Sequence, residues 1–333
     1  METELDFVNT IRTLAKPFAR GEYVNDWQQR AIQLSTISDF YTIRLRENAF
    51  LTEEKLQFAP CFASLSPLRK AIQENFYNSY YSNKIGYAIS YNFLSDWQYD
   101  IFHKIYSDVD SSERIVMSAC AYAICNLSCP IEVVLVLCNL LYEEALHLES
   151  ISTLLGIDQS CKPWIGDDKV NHWQLISKTN TIISYLFAEH CLYEGRGFIA
   201  AAKGVYELQK YGTESTIYKI AKFIFEQETN HVLTGYFWLK QLDNGKFEDE
   251  LRIVLNNFIK TEPMKEIESF KGKRQRFPIF IAENYLKNRD YWQIRKIVLE
   301  TAKHIIVTGE ILVSDEQLIT ATKNLSEFFM FCD

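Results

Sequence analysis

Twelve glycines and seven prolines in 333 residues are few. Both residue types punctuate a chain at turns, so their scarcity predicts long helices joined by few tight loops. Basic residues are also in deficit, with 35 Lys and Arg against 43 Asp and Glu and a net charge of −8. No cationic excess exists to neutralise phosphates, which argues against a general nucleic-acid or anionic-membrane surface. The eight cysteines (Cys61, Cys120, Cys125, Cys129, Cys138, Cys161, Cys191, Cys332) show no C-x-x-C spacing. A zinc or dithiol redox motif is therefore not expected, and small buried thiols in a reducing compartment are. No Gly-rich phosphate loop occurs, and no stretch reaches the roughly 20 apolar residues of a membrane span. The first residues, METELDF, are acidic and precede no long apolar run, unlike a secretory signal. Together these absences set the expectation of a cytoplasmic protein.

What is present is an ordinary globular composition, 47% hydrophobic and 23% charged, able to bury a sizeable core. Helical spacing marks residues 7–19, 26–47, 52–58, 66–81 and 95–106, then four long helices over about 111–127, 131–155, 174–210 and 214–242. Ser111 or Ser112 is the expected N-cap of the first, Pro130 opens the second and Gly156 ends it. More helices follow to 333, broken at Pro263 and Pro278. The expectation is a single all-α domain: N-terminal helices over 1–100, a bundle over 101–243, and C-terminal helices over 244–333.

Chemistry enters with Glu144 and His147, which lie three apart and share a helical face with Leu137, Leu140 and Ile151. A carboxylate on such a core-facing stripe costs several kcal/mol or more unless compensated, and a metal ion is one compensation. One Glu-x-x-His pair is weak evidence. The pattern recurs at Glu228 and His231, on the stripe Ala221, Ile224, Glu228, His231, Gly235. Two such pairs form half of a carboxylate-bridged dimetal site, whose other half is one Glu from each of two further helices. Glu113 leads Val116, Met117, Cys120 and Ile124; Glu194 lies between Phe187 and His190 on one side and Phe198 and Ala201 on the other. Register supports both: Glu113 is 17 residues before Pro130 and Glu144 is 14 after it, while Glu194 is 18 before Gly212 and Glu228 is 16 after it. Across antiparallel pairs those positions are nearly level. Glu189 is an alternative to Glu194 but falls out of register.

With these residues in view, positions 111–239 resemble the ferritin-like di-iron oxidase and oxygenase superfamily, without close similarity to any one member. The resemblance implies a ferritin-like four-helix bundle with a dimetal site, extended by N- and C-terminal helices. It implies that Glu113, Glu144, His147, Glu194, Glu228 and His231 bind two Fe ions (Mn/Fe is the variant pairing), with O2 as co-substrate. An external electron donor and a small-molecule substrate are the implied partners, with no nucleic acid and no membrane; a homodimer is an open expectation. In the family, the residue before each motif Glu is often acidic and steadies the opposite His. Glu143 fits that role here, with a solvated helix face as the equal alternative, and Gln227 departs from it. His190, four before Glu194, is a candidate seventh ligand like the extra His of some arylamine N-oxygenases. Those place it four before the last motif Glu, where this chain has Ile224, so a packed core His is the favoured reading.

Departures narrow the function. Ile151 stands where reductase small subunits resembling this site carry a radical Tyr, and Phe198 where multicomponent hydroxylases carry Thr. The gap of 50 residues between Glu144 and Glu194 is similar to that of desaturases and N-oxygenases. His231-Val232-x-x-Gly235-x-x-Trp238 looks like relatives of a tRNA-modifying hydroxylase, but the acidic charge argues against tRNA. The expected function is a di-iron O2-dependent oxygenase or oxidase on a small organic substrate. One alternative is a desaturase-like oxidase on a carrier- or CoA-linked acyl chain, with the run Lys271–Arg276 as its only basic patch. The other is a non-catalytic helical interaction protein.

Overall fold

The structure, a computed structural model, describes residues 4–21, 25–47, 94–107, 109–157, 164–166, 169–243, 245–261, 269–314 and 316–317. Every regular element among them is helical, with no strand. The helices expected over 52–58 and 66–81, Pro163, Pro263, and Cys61, Cys161 and Cys332 lie outside the described residues. Among those described, no helix is long and apolar enough to cross a membrane. The chain divides into two compact units, Met1–Tyr185 and Leu186–Asp333, so the division falls within the 101–243 stretch.

The first unit contains α1 (Glu4–Ala15), a 3-10 turn (Phe18–Arg20), α2 (Trp27–Glu47), α3 (Asp96–Tyr106), α4 (Val109–Asn126), α5 (Ile131–Leu155) and α6 (Val170–Ile176). The short link from α4 to α5 makes them an antiparallel pair. Pro130 is the N-cap of α5, and Gly156 ends it at φ 61°; its N–H bonds back to Ser152 and Thr153 carbonyls, a left-handed cap that glycine adopts without strain. Nineteen of the 25 residues of α5 are buried, so this helix is core on nearly all sides rather than amphipathic. Neighbours α2, α3 and α4 cover it. Asn139 would be costly in such surroundings without partners. Its Nδ2 donates to Ser38 Oγ at 2.7 Å and to Leu135 O at 3.0 Å, and its Oδ1 accepts from Ser35 Oγ at 3.2 Å, which ties α2 to α5. The N-cap positions expected for α4, 111 and 112, fall inside the helix. Helical hydrogen bonding begins at Val109 and encloses them, a boundary shift of the size cap chemistry alone does not resolve.

The expected helix over 174–210 is interrupted. The polar run 177–181 ends α6, and Thr181 with Ser184 then starts α7 (Ile182–Leu186), which carries the division between the units. Thr181 Oγ1 accepts from the Ser184 N–H at 3.1 Å, and Ser184 Oγ from the Thr181 N–H at 3.3 Å. Each side chain satisfies a backbone donor that a continuous helix would have used, which is why such residues favour helix starts.

The second unit begins with a π-helical segment (Phe187–Tyr193), followed by α8 (Glu194–Gln209), α9 (Thr216–Leu242), α10 (Glu248–Thr261), α11 (Phe270–Asn288) and α12 (Tyr291–Thr308). A turn with Gly212 at φ 99° joins α8 to α9, whose N-cap Ser215 accepts from the Tyr218 N–H. α12 lies against both, and α11 against α8. Pro278 does not break the chain as expected but sits buried inside α11. An interior proline costs roughly 3 kcal/mol in an isolated helix. Here its ring fills the space that Gly195 leaves, since a Cβ at 195 would come within 2.9 Å of Pro278 Cβ.

Candidate functional site

In the first unit, Glu113 from α4 and Glu144 and His147 from α5 point into the same buried space. Three of their ligand atoms, one each, lie within 4.8 Å of one another. His147 Nδ1 is 3.3 Å from Glu144 Oε2 and 3.8 Å from Glu113 Oε1. The second unit repeats the arrangement. Glu194 from the start of α8 meets Glu228 and His231 from α9, again with ligand atoms within 4.8 Å, and His231 Nδ1 is 3.7 Å from Glu194 Oε1. None of the six side chains is more than 5% exposed by residue.

Each cluster follows from helix geometry. The i, i+3 spacing puts Glu and His of one helix side by side, and the short loop brings the level Glu of the neighbouring helix opposite. The apolar residues on the same faces, Leu137, Leu140, Ile151 and Ile224 among them, are buried as well. Separations of 3.3–3.8 Å exceed the usual N–H···O range. They suit two donors on one ion, which stand about 3–3.5 Å apart when each bond is roughly 2.1 Å. Two carboxylates and a neutral imidazole sum to a charge of −2, which a divalent cation balances. The donor set therefore fits a metal: buried Glu and His groups in each unit are placed to hold one.

Gly197, which the Glu-x-x-His pattern does not mark, lies against the second cluster. A Cβ there would lie 2.5 Å from Glu228 Oε2 and 3.5 Å from Glu194 Oε2. The glycine is what lets the Glu228 carboxylate lie along α8. Its signal was available, because residue 197 is one helical turn beyond Glu194 on the same face.

His190 and Glu189 are fully buried in the π-helical segment, but neither belongs to the clusters. His190 instead packs on α9 at Gly235, where a Cβ would come within 2.6 Å of His190 Cβ and 3.1 Å of its carbonyl carbon. Glu143 is 1% exposed and Gln227 4%, so a solvated helix face is ruled out for Glu143. His172 is buried and His103 exposed. The basic run 271–276 is only partly displayed. Gly272 and Gln275 are buried, and Arg274 Nε donates to Arg196 O at 3.0 Å. Among the described residues, Cys120, Cys125, Cys129, Cys138 and Cys191 form no disulfide. Burial pushes Cys125 up to about 11 and Cys129 up to about 12, which keeps both protonated and poor as nucleophiles at neutral pH.

Comparison of the chain with protein-family models, with curated proteins and with solved structures returned no match.

Proposed function

We propose that this chain is a non-haem dimetal oxygenase or oxidase of ferritin-like architecture acting on a small organic substrate. In this reading Glu113, Glu144, His147, Glu194, Glu228 and His231 together hold two iron ions. Hard carboxylates with two imidazoles also suit a manganese–iron pair, so supply would decide between them. The observation that carries the reading is duplication: two Glu, Glu, His clusters, equally buried and built from the same helix-pair geometry. One such cluster is explicable as a local polar network. Two of them, at matched positions along the chain, are what a dinuclear carboxylate centre requires.

When bound, two such ions supply the electrons that reduce O2, so that an inert C–H or N–H group can be oxidised. The chain's own residues do the rest. Four carboxylates (charge −4) balance two divalent ions, and the two imidazoles add neutral nitrogen donors without further charge. Burial of all six keeps bulk water from the ions and from a substrate group beside them. Glu143 and Gln227, each buried and next to a motif Glu, are placed to orient side chains within the clusters; Gln227 would do so with a neutral amide. An external reductant is required.

The test is metal content per chain, by elemental analysis, for wild type and Glu144→Ala. About two Fe (or Mn plus Fe) in the wild type and a loss in the variant are expected, with O2 uptake confined to the reduced, metal-loaded protein. A wild type that is isolated metal-free and refuses Fe(II) added without oxygen would leave a helical interaction protein as the reading.

A further inference from the structure

A second candidate site lies in the first unit, among α1, the 3-10 turn and the end of α4. A cleft of about 510 Å³ is lined by Arg12, Lys16 and Arg20, with Asn9, Thr13 and Asn126 beside them. Among the described residues, no Asp or Glu lines it. Among the described residues, none of the three cations has a carboxylate partner. Arg12 donates Nε to Ile124 O at 3.1 Å, which occupies one of its five donors and offsets the negative end of α4. Lys16 and Arg20 are exposed. On a chain of net charge −8, three cations gathered in one concavity, with no counter-charge among the described residues, focus a local positive potential.

An adjoining cleft of about 560 Å³ shares Asn9 and Thr13 as a wall and continues along the groove between α1 and α2, past Leu14, Gln33, Thr36 and Ile37. Among the described residues it has no charged lining. Its hydroxyls are oriented by their own helices. Thr10 Oγ1 donates to Asp6 O, Thr13 Oγ1 to Asn9 O and Thr36 Oγ1 to Ile32 O, at 2.8–3.0 Å. With each hydroxyl proton so used, the oxygens face outward as acceptors. That surface suits a neutral body carrying its own hydroxyl donors over short aliphatic faces. Both volumes lie in the range of small-molecule sites.

We propose that the paired clefts bind an organic phosphate with a neutral, hydroxyl-bearing body, the chemistry of a sugar phosphate. The phosphate sits among Arg12, Lys16 and Arg20, and the body lies along Thr10, Thr13 and Thr36. The site is independent of the metal clusters and of the function proposed for them.

Isothermal titration of the full-length protein with inorganic phosphate and with ribose 5-phosphate tests this. Both should bind saturably at one site, with ribose 5-phosphate tighter by about tenfold, the effect of one or two added hydrogen bonds. Lys16→Glu/Arg20→Glu should weaken both by at least about tenfold. The milder Lys16→Gln/Arg20→Gln serves if the charge reversal disturbs folding, as judged by the helical circular dichroism signal. Absence of saturable binding by either probe overturns the proposal, as does unchanged affinity in the charge variants. Equal affinity for the two probes overturns the role of the neutral cleft.

Discussion

Gly197→Ala is the perturbation that most sharply separates the proposed metal site from the fold. The added Cβ would stand 2.5 Å from Glu228 Oε2, against an ordinary contact of 3.4 Å or more, so the carboxylate must retreat by about 0.9 Å (3.4 − 2.5). Metal–ligand distances tolerate roughly ±0.2 Å, so the retreat is several times what coordination allows. The cost to folding is small. The atom that must move is the far end of a flexible side chain, and an off-rotamer adjustment costs of order 1 kcal/mol. Alanine in place of glycine inside α8 returns about 1 kcal/mol of helix propensity. The net change in stability should be near zero, with a melting temperature within a few degrees of wild type. Metal content should fall by about one ion per chain. Elemental analysis and Fe(II) titration, run beside a thermal melt on the same preparation, read both quantities. Undiminished metal content and Fe(II) affinity would refute the placement of Glu228 as a ligand. A large loss of stability would refute the claim that only a side-chain tip must move.

Gly235→Ala is the contrasting case. There the Cβ meets His190 Cβ at 2.6 Å and the His190 carbonyl carbon at 3.1 Å, neither at the end of a flexible chain. Overpacking of this kind should cost about 1–3 kcal/mol, read as a lower midpoint in chemical denaturation; an unchanged midpoint would deny the close approach. The half-buried thiol of Cys125 predicts alkaline sensitivity. Cys125 is raised from 9.0 to about 11 in the fold. As pH passes 9 the unfolded chain loses that proton while the native chain keeps it, so the stabilisation is complete below pH 9 and is lost as pH rises towards 11. The loss is about 2 kcal/mol after allowance for solvent screening. Urea unfolding at pH 8.5 and 10.5 should show a smaller drop for Cys125→Ser than for wild type, and equal drops would count against the assignment.

The candidate ligands were legible because each lies on a regular stretch. Glu144 with His147 and Glu228 with His231 repeat one spacing inside apolar stripes, and Glu113 and Glu194 follow by counting from turns marked by Pro130 and Gly212. The all-helical class was legible from periodicity and the scarcity of turn residues. Features set by contacts distant in sequence were not. Pro278 reads as a helix breaker until Gly195 is seen to make room for it. The interruption at 177–181 was marked by its Ser, Thr and Asn residues, but the apolar pattern on either side outweighed them. The π-helical segment leaves no trace in periodicity over seven residues. Gly197 and Gly235 look alike as helix-interior glycines, and only the atoms opposite them tell a carboxylate's berth from a close backbone approach.

That π-helical segment makes chain length, as well as composition, part of what specifies the second unit. Its last turn closes with the Glu194 N–H on Glu189 O, five residues back. Removing any one residue between them would let the turn relax into an ordinary four-residue step with its backbone hydrogen bonds remade. Every side chain before the deletion would then rotate by about 100° relative to Glu194. Which of Phe187, Glu189 and His190 shares a face with that carboxylate is thus held by one surplus residue. A single-codon deletion could exchange them at a stroke, an outcome that no substitution at those positions can reach.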